Sequence, residues 1–460
     1  DSNLGNNSNP FFTVKKAVDT AASRDTISIG EGSFDIDETI HAGMNSGTAK
    51  SLYFVGEGSD KTELILKSTG YEFFFDGKEF DGTMEVGFEK IKFTGSANLI
   101  EWTFMLYSGN YIFKQCEFNS IRNSYLHRVQ NSRLIIDECT YTNPESDYEI
   151  ISVIGENDEG NSKITLKNIN YNSNKDFNIS LPNWTDTLSI ENLTVEGTNF
   201  YVEDVGYLIA SNIDIHDSKC IFECNAGGSI TGSKFYNNNL DELKMFTFKE
   251  AFDYKIEKSL FYNNISTYGL IFIDGQSTTT IDKCTFAKNL GVLFGIQDES
   301  YGVLQNSIVQ ADTSKYGNNV LWFNGNSNQS FSTKYSLIHF LNNVGWGYPR
   351  TEENTIYEDP LFLDVENDDF RLKWGSPAID AGDPLSSLDP DGTVADMGAI
   401  YFDQSDLVVP TVSFSANTTS GEVPLEISFT DNTESSDITQ WKWSFGDGSE
   451  SNEQNPTHTY

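Results

Sequence analysis

Four basic side chains, Arg122, His127, Arg128 and Arg133, sit close together in a chain that otherwise carries 68 acidic and 30 basic residues and a formal charge of −38. A cation beside a substrate carboxylate stabilises the enolate-like charge that develops when a neighbouring carbon loses its proton. His127 or Arg128 would supply the general base for that step. The competing expectation is that Arg122 and Arg133 pair with acids such as Asp137 and Glu138 on a solvated face.

A second set of polar residues, Arg128, Glu223, Lys249 and Asp274, falls at similar positions in short apolar segments, near Tyr107, Phe248, Trp322 and Phe323. Stacked segments would align them along one groove. A carboxylate pair about 5–10 Å apart, such as Glu223 and Asp274, could then serve glycoside hydrolysis. They could equally be outward residues forming ladder ion pairs, and a register error of one residue would turn each to the opposite face. A third candidate is the loop 342–360, where Trp346, Tyr348 and Arg350 could form a sugar-stacking platform or cap the end of a core. Asp389, Asp391 and Asp396 are oxygen donors that could bind Ca2+, although their spacing fits no EF-hand. No other cofactor is indicated. His41, His216 and His339 are isolated, and packed or surface roles are expected for them.

These side chains must be positioned by something other than a compact core, since 460 residues are more than one such core needs. Hydrophobic residues make up 38% of the chain and aromatics 13%, which excludes global disorder. The acidic excess disfavours nucleic acid as a partner. No apolar run reaches the ~18 residues that a spanning helix requires. The five cysteines, Cys116, Cys139, Cys220, Cys224 and Cys284, are too few and too scattered for a disulfide framework. The chain starts at Asp1 without a signal segment, as expected of a mature or trimmed protein.

A six-residue pattern recurs, from FEKIKF (88–93), FKQCEF (113–118) and IDECTY (136–141) to IDKCTF (281–286), LQNSIV (304–309) and TKYSLI (333–338). Its fourth position runs Ile91, Cys116, Cys139, Ile169, Leu193, Ile213, Ser233, Ser259, Cys284, Ser307 and Ser336, at gaps of 20 to 30 residues. Such a period signals a solenoid. Alternating apolar positions rich in β-branched and aromatic residues make its units strands. The Asn residues that follow, such as Asn119, Asn143, Asn172, Asn237, Asn263 and Asn289, are suited to left-handed turns. Stacking of like residues, including three of the cysteines as buried thiols, would build one continuous core. A second strand recurs about ten residues later, which favours several sheets per coil.

The stretch FFTVKKAVDTAASRDTISIGEGSFD (11–35), the segment SLYFVGEGSDKTELIL (51–66) and the terminal run 358–404 resemble right-handed parallel β-helices of the pectate-lyase-like superfamily. The resemblance implies an all-β solenoid of about 11–13 coils over 1–404, with a short N-terminal capping helix within 11–35 and a terminal segment at 358–404. After a linker at 405–409, PTVSFSANTTSGEVPLEISFTD (410–431) and WKWSFGDGSESNEQNPTHTY (441–460) resemble a PKD-type, Ig-like β-sandwich whose closing strands do not follow, so a partial module is implied. Among β-helix proteins of this kind, lyases use Arg or Lys to remove the proton next to a uronate carboxylate. The resemblance therefore implies a secreted or cell-surface, prokaryotic, carbohydrate-interacting protein. Its partner would be a polysaccharide or cell-surface glycan, and it would be a polysaccharide lyase more readily than a hydrolase. The alternatives are a non-catalytic adhesin or matrix protein, or a phage or secretion spike. Oligomeric state, monomer or trimer, stays open.

Overall fold

The first position of the six-residue pattern forms one unbroken column. Phe88, Phe113, Ile136, Leu166, Ile190, Ala210, Ile230, Ile256, Ile281, Leu304 and Thr333 are successive partners in parallel strand pairs. Each coil thus places its equivalent side chain over that of the previous coil, and the chain folds as a parallel β-helix. The computed structural model describes residues 10–460 other than 43–49, 68–70, 78–82, 96–99, 122, 143–148, 154–160, 173–174, 183, 242, 251, 312–319, 325–329, 342–345, 347–349, 406–410, 435–437 and 439. Arg122, Asn143, Tyr348 and most of the expected linker 405–409 lie outside these residues. Two units separate, 1–402 and 403–460.

Three parallel sheets wrap the first unit. The pattern's opening residues belong to sheet 1 (for example Gly109–Lys114 and Arg133–Asp137), its closing residues to sheet 2 (Glu117–Asn119 and Thr140–Thr142), and the later recurrent strand to sheet 3. Sheets 1 and 2 are continuous through three ten-residue strands, Lys163–Asn172, Thr187–Glu196 and Tyr207–His216. Sheet 3 has 12 strands, from Ile40–Ala42 to Leu321–Asn324.

The corner between sheets 1 and 2 explains the pattern's middle letters. Its third residue, from Lys90 through Asn168 and Lys283 to Tyr335, takes a positive φ of 45–59° in all ten non-glycine cases and 62° at Gly232. The fourth residue then turns inward. Where it is Ser, and at Cys139, it accepts the backbone N–H of the equivalent residue one coil earlier. Cys116 N donates to Cys139 Sγ at 3.4 Å, Ser233 N to Ser259 Oγ at 3.2 Å and Cys284 N to Ser307 Oγ at 3.0 Å. A corner has no strand partner for this N–H, and leaving it buried and unpaired would cost about 1–3 kcal/mol. All five cysteines are buried free thiols.

The left-handed corner admits more residue types than Asn, including Lys90, Gln115, Glu138 and Tyr335. Of the residues that follow the pattern, Asn237 and Asn263 have positive φ, whereas beside Asn119 the following Ser120 and beside Asn289 the preceding Lys288 do. Asn172 lies in a strand. Three asparagines instead form an internal ladder: Asn238 N donates to Asn264 Oδ1 at 3.1 Å, and Asn264 N to Asn289 Oδ1 at 3.0 Å.

The helix Val14–Thr20 closes the first coil. Thr13 caps it through Lys16 N, and Val14 and Val18 are buried against the core. The segment 358–402 straps the outside of sheet 2. Phe362, Phe370, Leu372, Ala378 and Met397 form a second apolar cluster with Leu260, Ala287, Ile308 and Leu337. Lys283–Asp389 and Lys288–Asp368 ion pairs, at 2.8 and 2.6 Å, pin the strap.

The second unit pairs Phe414–Ala416 with Glu426–Asp431 and the latter with Thr457–Thr459, all antiparallel. Trp443–Ser444 forms a small hairpin with Glu450–Ser451. His458 stacks on Phe445 at 4.3 Å and bonds Asp447 at 2.7 Å.

Candidate functional site

On the outer face of sheet 3, one cross-strand column reads Glu223, Thr247, Phe272, Gly295, Trp322. Alternation fixes these side chains outward, because Phe222, Phe246, Ile271, Phe294 and Leu321 beside them are buried. Gly295 makes the column usable. A Cβ there would lie 2.4 Å from a Phe272 ring carbon, so only glycine lets the rings of Phe272 and Trp322 lean together over it, 6.1 Å apart at 37°. Tyr268, 40% exposed, meets Trp322 edge-on at 6.4 Å.

Charge converges on the same patch. Lys244, on the turn entering the strand Phe246–Phe248, holds its Nζ 3.1 Å above the centroid of Phe272, a cation–π contact that leaves Phe272 1% exposed. Lys249 Nζ bonds Glu223 Oε2 at 3.1 Å. Asp274 accepts Gly275 N at 2.8 Å. Burial lowers the Lys244 pKa below its ordinary value, and neighbouring Lys249 adds to this, while Asp274 and Glu223 oppose it. Burial also raises the Asp274 pKa, helped by the Asp298 charge. A half-buried lysine whose pKa burial lowers, near the exposed Tyr268 ring and the partly buried Trp322, can contact a sugar ring and exchange a proton with it.

Of the residues that sequence reasoning set along one groove, the structure gathers Glu223, Lys249 and Asp274 around Lys244, while Trp322 lies farther along the Glu223 column, four strand spacings or roughly 19 Å from Glu223. Lys244, Tyr268, Phe272, Gly295 and Asp298 were missed. Phe272 sat in an expected strand, IFI at 271–273, and its outward phase was the available signal. The expectation of a ladder ion pair also holds for Glu223 and Lys249.

The remaining candidates separate from this patch. Arg128 faces outward on sheet 3, but its partners are Met105 and Ser152. Three strands lie between it and Glu223, so four spacings of about 4.8 Å put it roughly 19 Å away. His127 is fully buried, stacked on Phe104 at 5.3 Å and bonded to Tyr141 at 3.3 Å. Burial drives its pKa down to about 3, so it is a core residue and not a surface base. Arg133 begins a strand of sheet 1. The described members of that cluster, His127, Arg128 and Arg133, therefore face the core, sheet 3 and sheet 1 separately. Tyr107 is outward beside Phe74, one strand before Arg128. Phe248 and Phe323 pack on the core.

Trp346 is 4% exposed, packed on Phe331 and Phe340, so it seals the last coil and is no sugar platform. Arg350 covers its ring and bonds Tyr357 and Glu352. The acidic turn is also committed. Asp389 accepts Lys283 Nζ and Asp396 N, Asp391 accepts Thr393 N and Oγ1, and Asp396 accepts Asp380 N and Phe402 N. These carboxylates organise the strap's turns. Among the described residues no group of three or more His, Cys, Asp or Glu side chains converges as a metal site. On sheet 2 an aromatic strip, His216, Tyr236 and Tyr262, stacks ring on ring at 4.4 and 4.6 Å. Its faces are used up internally, leaving edges for solvent.

Residues 408–460 match the PKD domain family. No curated protein matches the chain. Among solved structures, the pectate lyase Pel9A aligns at 14% identity over 87% of this chain and 94% of its own, with a TM-score of 0.37. A Geobacillus virus E2 open-reading-frame product aligns at 12% identity over 97% and 72%, with 0.30. A PL6-family polysaccharide lyase from Pseudopedobacter saltans aligns at 11% over 83% and 96%, with 0.28. The parallel β-helix rests on the strand pairings above. No helix among the described residues is long and apolar enough to cross a membrane.

Proposed function

We propose that this is a secreted, carbohydrate-binding protein whose site is the sheet 3 patch of Lys244, Lys249, Glu223, Asp274, Tyr268 and Trp322, and that it cleaves a uronate-containing glycan by β-elimination. The observation that carries this reading is the half-buried Lys244 amine packed on Phe272, whose ring neighbours Trp322 and, through it, the exposed Tyr268. Trp322 and Tyr268 offer apolar surfaces to the C–H face of a pyranose. Lys249, released from Glu223, neutralises the substrate carboxylate. Lys244 as free amine takes the C5 proton, the C–H electrons form the C4–C5 double bond, and the bond from C4 to the glycosidic oxygen breaks. That oxygen leaves with a proton from water or a nearby acid. Cation neutralisation of the carboxylate makes the intermediate charge affordable at neutral pH.

A second reading, a non-catalytic adhesin, is favoured by the closed Glu223–Lys249 pair, which resembles an ordinary ladder contact. One experiment separates the two. The full chain is incubated with acidic and neutral glycans, with and without Ca2+, and followed by the ultraviolet absorbance of the conjugated unsaturated product. Absorbance growth that Lys244→Met abolishes supports the lyase. Glycan retention without any product supports the adhesin, and neither binding nor product would sink both.

A further inference from the structure

A cavity of about 330 Å³ opens where the strap meets the last strands of sheet 2, away from the sheet 3 patch. Its floor is Gln310, on the strand Ile308–Ala311. Gln310 is 6% exposed, and its side-chain oxygen has no hydrogen-bond partner. A buried, unpaired amide oxygen is costly, and it calls for a donor. In the neighbouring strand Gln310 is registered with His339, whose Nδ1 also lacks a hydrogen bond and lies 3.8 Å from the Asp359 carboxylate. Gln310 lines the cavity, and the under-satisfied His339 stands beside it on the neighbouring strand.

The walls define what would fit. Asp359, Asp364 and Glu366 supply three carboxylates against one cation, Lys373. Asp364 also caps the short turn that follows, through Asn367 N, which fixes its position. Leu361 and Leu363, 39% and 43% exposed, give the cavity apolar sides. Acceptors dominate, the local charge is negative, and part of the wall is aliphatic. The size suits a small molecule and not a polymer.

We propose that this cavity binds a small organic ammonium, of the kind carried by an amino sugar or an aliphatic diamine. The ammonium donates to the Gln310 oxygen and to a wall carboxylate, while its carbon body lies against Leu361 and Leu363. A donor-only cation satisfies what a neutral polyol would satisfy only in part, and charge-assisted bonds are the stronger kind.

The test uses the full chain at low ionic strength and titration calorimetry with glucosamine and putrescine, with glucose as the neutral control. Either amine should bind at one site, with glucose at least about tenfold weaker. Gln310→Leu should weaken the amine about tenfold, since it removes the buried acceptor without touching surface charge. Gln310→Glu should strengthen it, because it keeps an acceptor and adds a negative charge. A thermal midpoint within a few degrees of the parent shows that either variant is folded, and the second variant keeps the test alive if the first is not. Equal binding of glucose, absence of binding by both amines, or amine binding unchanged in both Gln310 variants would overturn the proposal. The last outcome would assign the heat to diffuse attraction by the acidic surface.

Discussion

Acidification should loosen the solenoid at one identifiable place, the imidazole of His127. This ring is fully buried among Phe104, Phe113 and Phe118, and burial lowers its pKa from 6.5 to about 3. The unfolded chain therefore binds the proton at higher pH than the folded one. The neutral ring's contribution is complete above pH 6.5 and is lost as pH falls from there toward 3. One proton gives a slope of about 1.4 kcal/mol per pH unit, so the loss between pH 6 and pH 4 is roughly 2.5 kcal/mol and approaches about 5 kcal/mol in full. Removing the ring alone would strand the Tyr141 hydroxyl, which bonds it at 3.3 Å. The double variant His127→Phe with Tyr141→Phe removes both partners and restores an all-apolar stack. Urea midpoints followed by tryptophan fluorescence, at several pH values between 7 and 4, should fall less steeply in the variant by that difference. Parallel curves for parent and variant would show that His127 does not carry the acid sensitivity, and the burial argument would fail.

Three further outcomes are expected. Turnover of an acidic glycan should rise with pH, because Lys244 must shed its proton, with a midpoint below that of a free lysine; Lys244→Met should retain glycan yet form no product, and product formation by that variant excludes Lys244 as base. Gly295→Ala should push the Phe272 ring out of place and cut glycan affinity roughly tenfold without unfolding the chain, as read by affinity electrophoresis. Ser259→Ala should lose about 1–3 kcal/mol, since Ser259 Oγ accepts Ser233 N and donates to Glu257 O inside the corner; an unchanged melting midpoint contradicts the corner account.

The solenoid was legible because its signal is repeated eleven times and each repetition obeys the same stacking rule. Phe113 is uninformative alone, but Phe113 over Phe88 and under Ile136 is a column. The candidate patch was only half legible. Glu223, Lys249, Asp274 and Trp322 are outward residues in phase, so periodicity found them. Lys244 enters from a turn before its strand, where no period applies. His127 and Arg128 are adjacent, so one must face inward when the other faces outward, and sequence alone favoured neither. For Trp346 and the acids of the strap the sequence left a binding and a structural role open, for a related reason. Aromatics in a long loop and carboxylates in a turn look exposed until one knows that the loop closes a coil and that the turn's own N–H groups take up Asp389 and Asp396.

The corner between sheets 1 and 2 also governs how such a chain can change length. Consecutive corners are joined by as few as 20 residues, from Leu193 to Ile213, and as many as 30, from Cys139 to Ile169. Yet every corner repeats the same backbone bend and the same inward fourth residue. What the fold counts is whole turns, because the register of the next turn continues whatever the number of residues between corners. Excising one complete turn, corner to corner, should therefore leave a shorter rod that still folds, whereas removing the same number of residues out of step with the corners should not.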